Sequence, residues 1–188
     1  KWKVKKKITG GADADKFQVS TTGQLFFVSP PDYETPLDIG GWVKDNVYEL
    51  SVQVRDNADP ALSFTDSQSL SVTVTPINEL PTLSPPSYDL NITVNEDTTW
   101  VWNSAFFDLI ATDVDAGHQS ILDWRVKVGG SGVFGSASVT GTGATPSSLS
   151  YVPNLDFCGD SNVSTQDDVF VLEVTDGVGV TEVTFRVF

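Results

Sequence analysis

Paired acidic residues are the part of this sequence most suited to chemistry. Asp32 and Glu34 stand two positions apart in PDYET. The same spacing separates Asp113 from Asp115 in ATDVDAG, and Asp176 lies in the turn TDGVG. In an extended chain, side chains two positions apart point to the same face. Crowded carboxylates repel one another without a cation, and Ca²⁺ binds about six to eight hard oxygen atoms. The clusters therefore predict a calcium site built from loops.

The stretch Thr73–Asp97 is predicted to connect two domains. Its four prolines, at positions 76, 81, 85 and 86, lack the N–H group that a central strand needs, and they fix φ. We therefore expect a short, stiff connection between domains at residues 1–80 and 81–188. Oxygen-bearing side chains flank the prolines on both sides: Asn78 and Glu79 before, then Asn95, Glu96 and Asp97 after.

Composition excludes several classes of partner. The 188 residues carry a formal net charge of −14, which argues against nucleic acid and against anionic membrane surfaces. No run approaches the roughly 20 apolar residues of a membrane span, and no signal peptide is evident. The chain begins with Lys and has no Met and one Cys. We expect a fragment of a longer protein, with no internal disulfide and with any export signal outside this piece.

Hydrophobic alternation predicts an all-β protein. No segment has a helical period with caps, whereas short alternating runs recur between Gly, Pro and Asp turns. Strands are predicted at Asn46–Arg55, Ser67–Thr75, Leu90–Val94, Leu122–Val128, Asp168–Thr175 and Val180–Phe188, with a hairpin inside Gly129–Gly143. The length fits two β-sandwiches of about 80–105 residues each.

The order of the motifs resembles a known repeat family. The first half reads ITGGADADKF, TTGQLFF, PDYETPLD, NVYELSVQVRD and SVTVTPINELP; the second reads ITVNED, ATDVDAG, LSYVPNLDFCGD and DVFVLEVTDGVG. The first half resembles a cadherin repeat of large bacterial adhesin-type surface proteins, starting after the first strand of the repeat. The second half resembles the related cadherin-like tandem repeat. The resemblance implies two tandem Greek-key, immunoglobulin-like β-sandwiches.

The resemblance also implies a function and a ligand set. In cadherins calcium sits at the joint between repeats, which makes the chain a rigid, non-enzymatic spacer for adhesion. We expect an extracellular position on a bacterial cell surface. The partners would be neighbouring repeats, other copies of the chain or surface glycans. Residue by residue, the implied calcium ligands are Asp32, Glu34, Asn78, Glu96, Asp113, Asp115 and Asp176. The linker offers one Asn and one Glu where the family has flanking Asp residues, which puts one of its three calcium positions in doubt.

Other interpretations of the same residues stay open at this point. The acids could be turn formers on solvated loops. Exposed tryptophans could line a sugar platform of a polysaccharide-degrading enzyme's accessory module; the candidates are Trp42, Trp100, Trp102 and Trp124. The chain could also be a self-assembling filament or surface-layer subunit whose missing strand comes from a neighbour. His118 is expected at the surface, and one His with one Cys gives no usual zinc site.

Overall fold

The chain forms two compact units. The structure, a computed structural model, describes residues 4–42, 44–56, 64–84, 89–158 and 167–188. The units are Lys1–Ile77 and Asn78–Phe188. The predicted domain limits, 1–80 and 81–188, differ from these by three residues and stay a prediction. Apart from two single-turn 3₁₀ helices, the regular elements of the described residues are all strands, as the alternation predicted. None of the helices described is long and apolar enough to span a membrane.

The first unit is built on a three-stranded antiparallel sheet. Its elements are β1 (Val4–Gly10), a 3₁₀ turn (Ala14–Lys16), β2 (Phe17–Val19), β3 (Leu25–Phe27), β4 (Val47–Asp56) and β5 (Thr65–Thr73). The sheet order is β1-β4-β5, and β2 pairs with β3. The long alternating run predicted at Asn46–Arg55 is β4, and it supplies the buried Tyr48 and Leu50. The three consecutive lysines at positions 5–7 lie in β1.

Aromatic side chains form the core of the first unit. Phe17 of β2 lies 4.3 Å from Phe27 of β3, measured between ring centroids. Phe27 meets Tyr48 of β4 edge-on at 5.1 Å. Such contacts add to the stability gained by burying the rings. They pack the β2–β3 hairpin against the larger sheet.

Two buried aspartates hold the loops of the first unit. Asp13, 0% exposed, accepts hydrogen bonds from the backbone N–H groups of Ile39 and Glu49, at 2.6 and 2.8 Å. Asp38, 1% exposed, accepts from the backbone N–H groups of Asp45 and Asn46. Buried carboxylates need such partners. Asp13 therefore has a structural role in its turn rather than one as a ligand.

The described residues of the second unit form nine strands. They are β6 (Thr82–Ser84), β7 (Leu90–Ile92), β8 (Trp100–Val101), β9 (Ile110–Thr112), β10 (Asp123–Val126), β11 (Gly135–Thr140), β12 (Ser148–Pro153), β13 (Asp168–Thr175) and β14 (Val180–Val187), with a 3₁₀ turn at His118–Ser120. The sheets have the orders β10-β13-β14-β7, β11-β12-β8 and β6-β9. Strand β7 pairs parallel to β14, whereas the other pairs are antiparallel.

Stacked rings join the layers of the second unit. Tyr151 of β12 stacks on Phe170 of β13, with ring centroids 5.6 Å apart, and Phe170 stacks on Phe185 of β14 at 4.6 Å. All three side chains are 0% exposed. Because Tyr151 and Phe170 come from different sheets, the rings fill the space between two sheet faces. This is the arrangement of a β-sandwich core.

The predicted strands match the structure except around the glycine-rich run. The strand predicted at Asp168–Thr175 is β13, and the one at Val180–Phe188 is β14 without its last residue. The hairpin predicted inside Gly129–Gly143 is wrong. Strand β11 pairs with β12, so that Gly135 lies opposite Pro153. The glycines at 141 and 143, both with positive φ, lie in the connection between these strands.

Trp124 is a core residue and does not belong to an exposed sugar platform. It is 2% exposed, and its indole N–H donates to the carbonyl of Gly143 at 3.0 Å. We expect Trp124→Phe to lower the free energy of unfolding of the second unit by about 1–2 kcal/mol, because that carbonyl loses its donor and the core loses volume. Chemical denaturation followed by the fluorescence of the remaining tryptophans measures this. A matched change at an exposed ring, Trp42→Phe, should cost less than about 0.5 kcal/mol.

Candidate metal centre

Three connecting segments of the second unit meet at one end of its strands. Strands β6 and β9 are antiparallel, with Thr82 opposite Thr112. The residues that precede β6 and those that follow β9 therefore lie at the same end. The hairpin turn between β13 and β14 lies there as well, since the side chain of Thr181 donates to the carbonyl of Pro81. This end carries Asn78 and Glu79, the Asp113–Ser120 segment and Asp176.

The ATDVDAG loop orders its own acids. Asp113 accepts a hydrogen bond from the backbone N–H of Asp115 at 2.9 Å. Gln119 accepts from the N–H of Asp113 at 3.0 Å and donates to the carbonyl of Ala111 at 3.0 Å. Gly117, with φ of 89°, begins the 3₁₀ turn that carries His118, and positive φ of this kind favours glycine. The turn brings His118 back toward Asp115.

Asp176 is buried in the turn between β13 and β14. It is 2% exposed, and its Oδ1 accepts from the backbone N–H groups of Val178 and Gly179, at 2.7 and 2.6 Å. The hydrogen bonds from the backbone N–H groups of Gly179 and Val178 lower the pKa of Asp176 to about 2, although burial opposes this. The carboxylate is therefore charged at neutral pH. Its Oδ2 has no hydrogen-bond partner among the described residues.

The segment that opens the second unit is fastened to these acids. The backbone N–H of Glu79 donates to Asp115 Oδ2 at 3.0 Å, and the Asn78 side chain donates to the carbonyl of Glu79 at 2.8 Å. Gly179 has a packing role here, because a Cβ at that position would lie 2.2 Å from Leu80 Cδ2. Asp115, a candidate ligand, thus orders Glu79, and Glu79 in turn accepts a hydrogen bond from Asn78.

The donor atoms converge on a volume suited to a cation. Asp113, Asp115, His118 and Asp176 each offer one ligand atom, and the four atoms lie within 4.8 Å of one another. Asp113 Oδ2 and Asp176 Oδ2 are buried without a hydrogen-bond partner in the part of the chain that is described. Buried polar atoms are rarely left unpaired, and adjacent carboxylates repel one another. A bound divalent cation would satisfy both oxygens and remove the repulsion.

The predicted ligands of the first unit lie in an exposed Asx turn. Asp32 Oδ1 accepts from the backbone N–H groups of Glu34 and Thr35, and Oδ2 accepts from the Thr35 hydroxyl at 2.5 Å. The bond from Thr35 lowers the pKa of Asp32. The turn already uses both oxygens of Asp32. Metal binding by Asp32 and Glu34 stays a prediction.

Glu96 lies away from the cluster of the second unit. Strand β7 runs parallel to β14, with Ile92 opposite Val187. Glu96 therefore follows the carboxyl end of β14, whereas Asp176 precedes its first residue. The eight residues of β14 span about 26 Å. The prediction that placed Glu96 with Asp113, Asp115 and Asp176 in one joint site needs correction, because the parallel pairing puts it at the opposite end of the sheet.

His118 is the member of the cluster that sequence reasoning missed. Its side chain is 28% exposed, but Nδ1 is buried and faces the acids. The expectation of a surface histidine holds only for part of the side chain, because the 3₁₀ turn folds His118 back over Asp115 and buries Nδ1. One signal was present in the sequence. A histidine three residues after an acid faces that acid if the chain makes a helical turn.

Comparison with known proteins finds similar folds among cadherin fragments. The chain is similar to Drosophila N-cadherin EC1-4, with 20% identity and a TM-score of 0.48 over 100% of this chain and 40% of that one. It is similar to human CDH23 EC21-23, with 17% identity and a TM-score of 0.44 over 98% of this chain and 62% of that one. It is also similar to mouse Cadherin-23 EC22-24, with 15% identity and a TM-score of 0.47 over 99% of this chain and 54% of that one. The chain thus spans less than two thirds of each of these fragments. No protein-family model and no curated protein matches it.

Proposed function

We propose that this chain is a structural, adhesion-type segment of a long extracellular protein, and that its second unit binds calcium. The ligands are Asp113, Asp115 and Asp176, with Asn78 and Glu79 beside them. One observation carries the calcium site. The buried Asp176 turns an unpartnered carboxylate oxygen toward neighbouring carboxylates. Carboxylate, amide and backbone oxygens are the ligands that Ca²⁺ prefers.

The ion would act by ordering the segment that opens the second unit. Asn78 and Glu79 are its first two residues. The backbone N–H of Glu79 already donates to Asp115, and the Asn78 side chain donates to the carbonyl of Glu79. Neutralising the acids removes the repulsion that opposes this arrangement. In a chain of repeats, an ordered segment at that position stiffens the connection to the preceding repeat. The role is mechanical and requires no catalysis.

The proposal also covers the location and the partners of the full protein. The cadherin-like motifs of the sequence support an extracellular repeat on a bacterial surface. They also support association with neighbouring repeats or with other copies of the chain. The charge of −14 fits a calcium-loaded surface. Surface glycans are weaker candidates as partners, because Trp124 is in the core and cannot contribute to a platform.

Thermal unfolding with and without calcium tests the proposed site. We expect calcium to raise the midpoint of the second unit relative to a chelator at equal ionic strength. Ligand binding to the folded state alone stabilises by about 2.7 kcal/mol when free calcium is 100 times its Kd. Differential scanning calorimetry over a calcium series gives both the shift and the Kd.

Magnesium at the same concentration is the matched control. It demands near-octahedral geometry and loses water reluctantly, so it should shift the midpoint much less. Equal shifts with both ions would reduce the effect to general screening of acidic loops. An unchanged midpoint across the calcium series would contradict the calcium site.

A further inference from the structure

His118 has a position that calcium binding does not explain. Its Nδ1 lies 3.8 Å from Asp115 Oδ2 and 3.6 Å from Asp176 Oδ2. Both distances exceed the normal range of a hydrogen bond, about 2.7–3.2 Å. Nδ1 is buried, and it has no hydrogen-bond partner among the described residues. A ring nitrogen therefore points into the acidic cluster without bonding to it.

Asp176 supplies a second, independent observation at the same point. Its side chain is 0% exposed, and Oδ1 already accepts two backbone N–H groups. The other oxygen, Oδ2, faces His118 and has no hydrogen-bond partner in the described chain. Asp113 Oδ2 is likewise buried and has no hydrogen-bond partner among the described residues. Three side chains thus direct unpaired atoms toward one volume.

The spacing of these atoms fits a small metal ion. A tetrahedral ion about 2.0–2.1 Å from its ligands separates them by about 3.3 Å. The two distances from Nδ1, 3.6 and 3.8 Å, are a few tenths of an ångström wider, which small side-chain rotations can close. The donor set has one imidazole nitrogen and three carboxylates. Ca²⁺ takes oxygen ligands, whereas imidazole suits zinc and other first-row transition metals.

We propose that Asp113, Asp115, His118 and Asp176 bind a transition-metal dication, with zinc as the representative ion and His118 Nδ1 as a direct ligand. This rests on the proposed cation site of the second unit and names a further ion for it. Zinc and calcium would share Asp113, Asp115 and Asp176 and so compete. Only zinc would use His118.

Isothermal titration calorimetry with Zn²⁺ and absorption spectroscopy with Co²⁺ test the proposed transition-metal site on the full chain. A Cys158→Ser background is used, because that exposed thiol is another soft ligand. We expect one Zn²⁺ to bind, and Co²⁺ to give the visible bands of a four-coordinate site. The variant His118→Gln should weaken Zn²⁺ binding by about 100-fold, since even outer-shell partners of ligands cost roughly 10–100-fold. Asp123→Asn, an exposed acid of β10, should leave it unchanged.

The calcium titration of the same variants separates the two proposals. If His118→Gln weakens zinc but leaves calcium binding unchanged, both proposals stand. If calcium binds, and zinc binds the chain and its His118→Gln variant with equal affinity, His118 is not a ligand and only the calcium site is supported. If zinc binds through His118 but calcium has no effect, the proposed function fails and this inference holds. If neither ion binds, both proposals are wrong.

Discussion

Replacing Asp168 by Ala is expected to lower the free energy of unfolding of the second unit by about 4 kcal/mol. Asp168 is 1% exposed. Its carboxylate accepts from the Tyr151 hydroxyl and from the backbone N–H groups of Val133 and Phe134, the last two at 2.7 and 3.0 Å. Burial, with the bond to Asp168, raises the pKa of Tyr151, so the hydroxyl remains a donor. The Ala variant leaves these donors without their acceptor.

Urea denaturation of the chain and its variants measures this loss. Tyr151→Phe is the matched control, because it removes one donor and leaves Asp168 bonded to the backbone. We expect that control to cost about 1–2 kcal/mol. A cost for Asp168→Ala no larger than that of Tyr151→Phe would show that the bonds to the 133–134 backbone contribute little.

The change Asp176→Asn should remove the calcium response while keeping the fold. Asn retains an oxygen for the N–H groups of Val178 and Gly179. It replaces the unpartnered Oδ2 with an N–H₂ donor and removes one negative charge. We expect calcium affinity to fall by about 100-fold. At a calcium concentration 100 times the native Kd, the stabilisation would drop from about 2.7 to about 0.4 kcal/mol. Calorimetry with calcium and with chelator gives both values.

Glu96→Gln is the matched charge change for this test. Glu96 follows the far end of β14, so its loss should leave the calcium shift of the cluster unchanged. A full calcium shift in Asp176→Asn, together with a lost shift in Glu96→Gln, would place the ion at the other end of the sheet. It would support Glu96, but not Asp176, among the ligands assigned from the motifs.

Much of the fold could be predicted because strand burial leaves a period of two in the sequence. Strands β13 and β14 have side chains facing the core in alternation, and their limits matched the predicted ones to within one residue. The turn between them was marked by Asp176-Gly177, whose glycine has φ of 94°. The acidic pair Asp113 and Asp115 was found by its spacing, and the structure places both beside Asp176.

Pairing between distant segments could not be predicted from that periodicity. The amino-acid sequence by itself determined long alternating strands such as β4, β13 and β14, and the acids at the ends of β9 and β13, because those signals are local. Only the tertiary structure decided that β7 joins β14 in parallel, which removes Glu96 from the cluster. It also decided that a single 3₁₀ turn brings His118 into the cluster. Both outcomes depend on hydrogen bonds between residues far apart in the chain or on a glycine conformation, and neither leaves a repeating pattern of residue types.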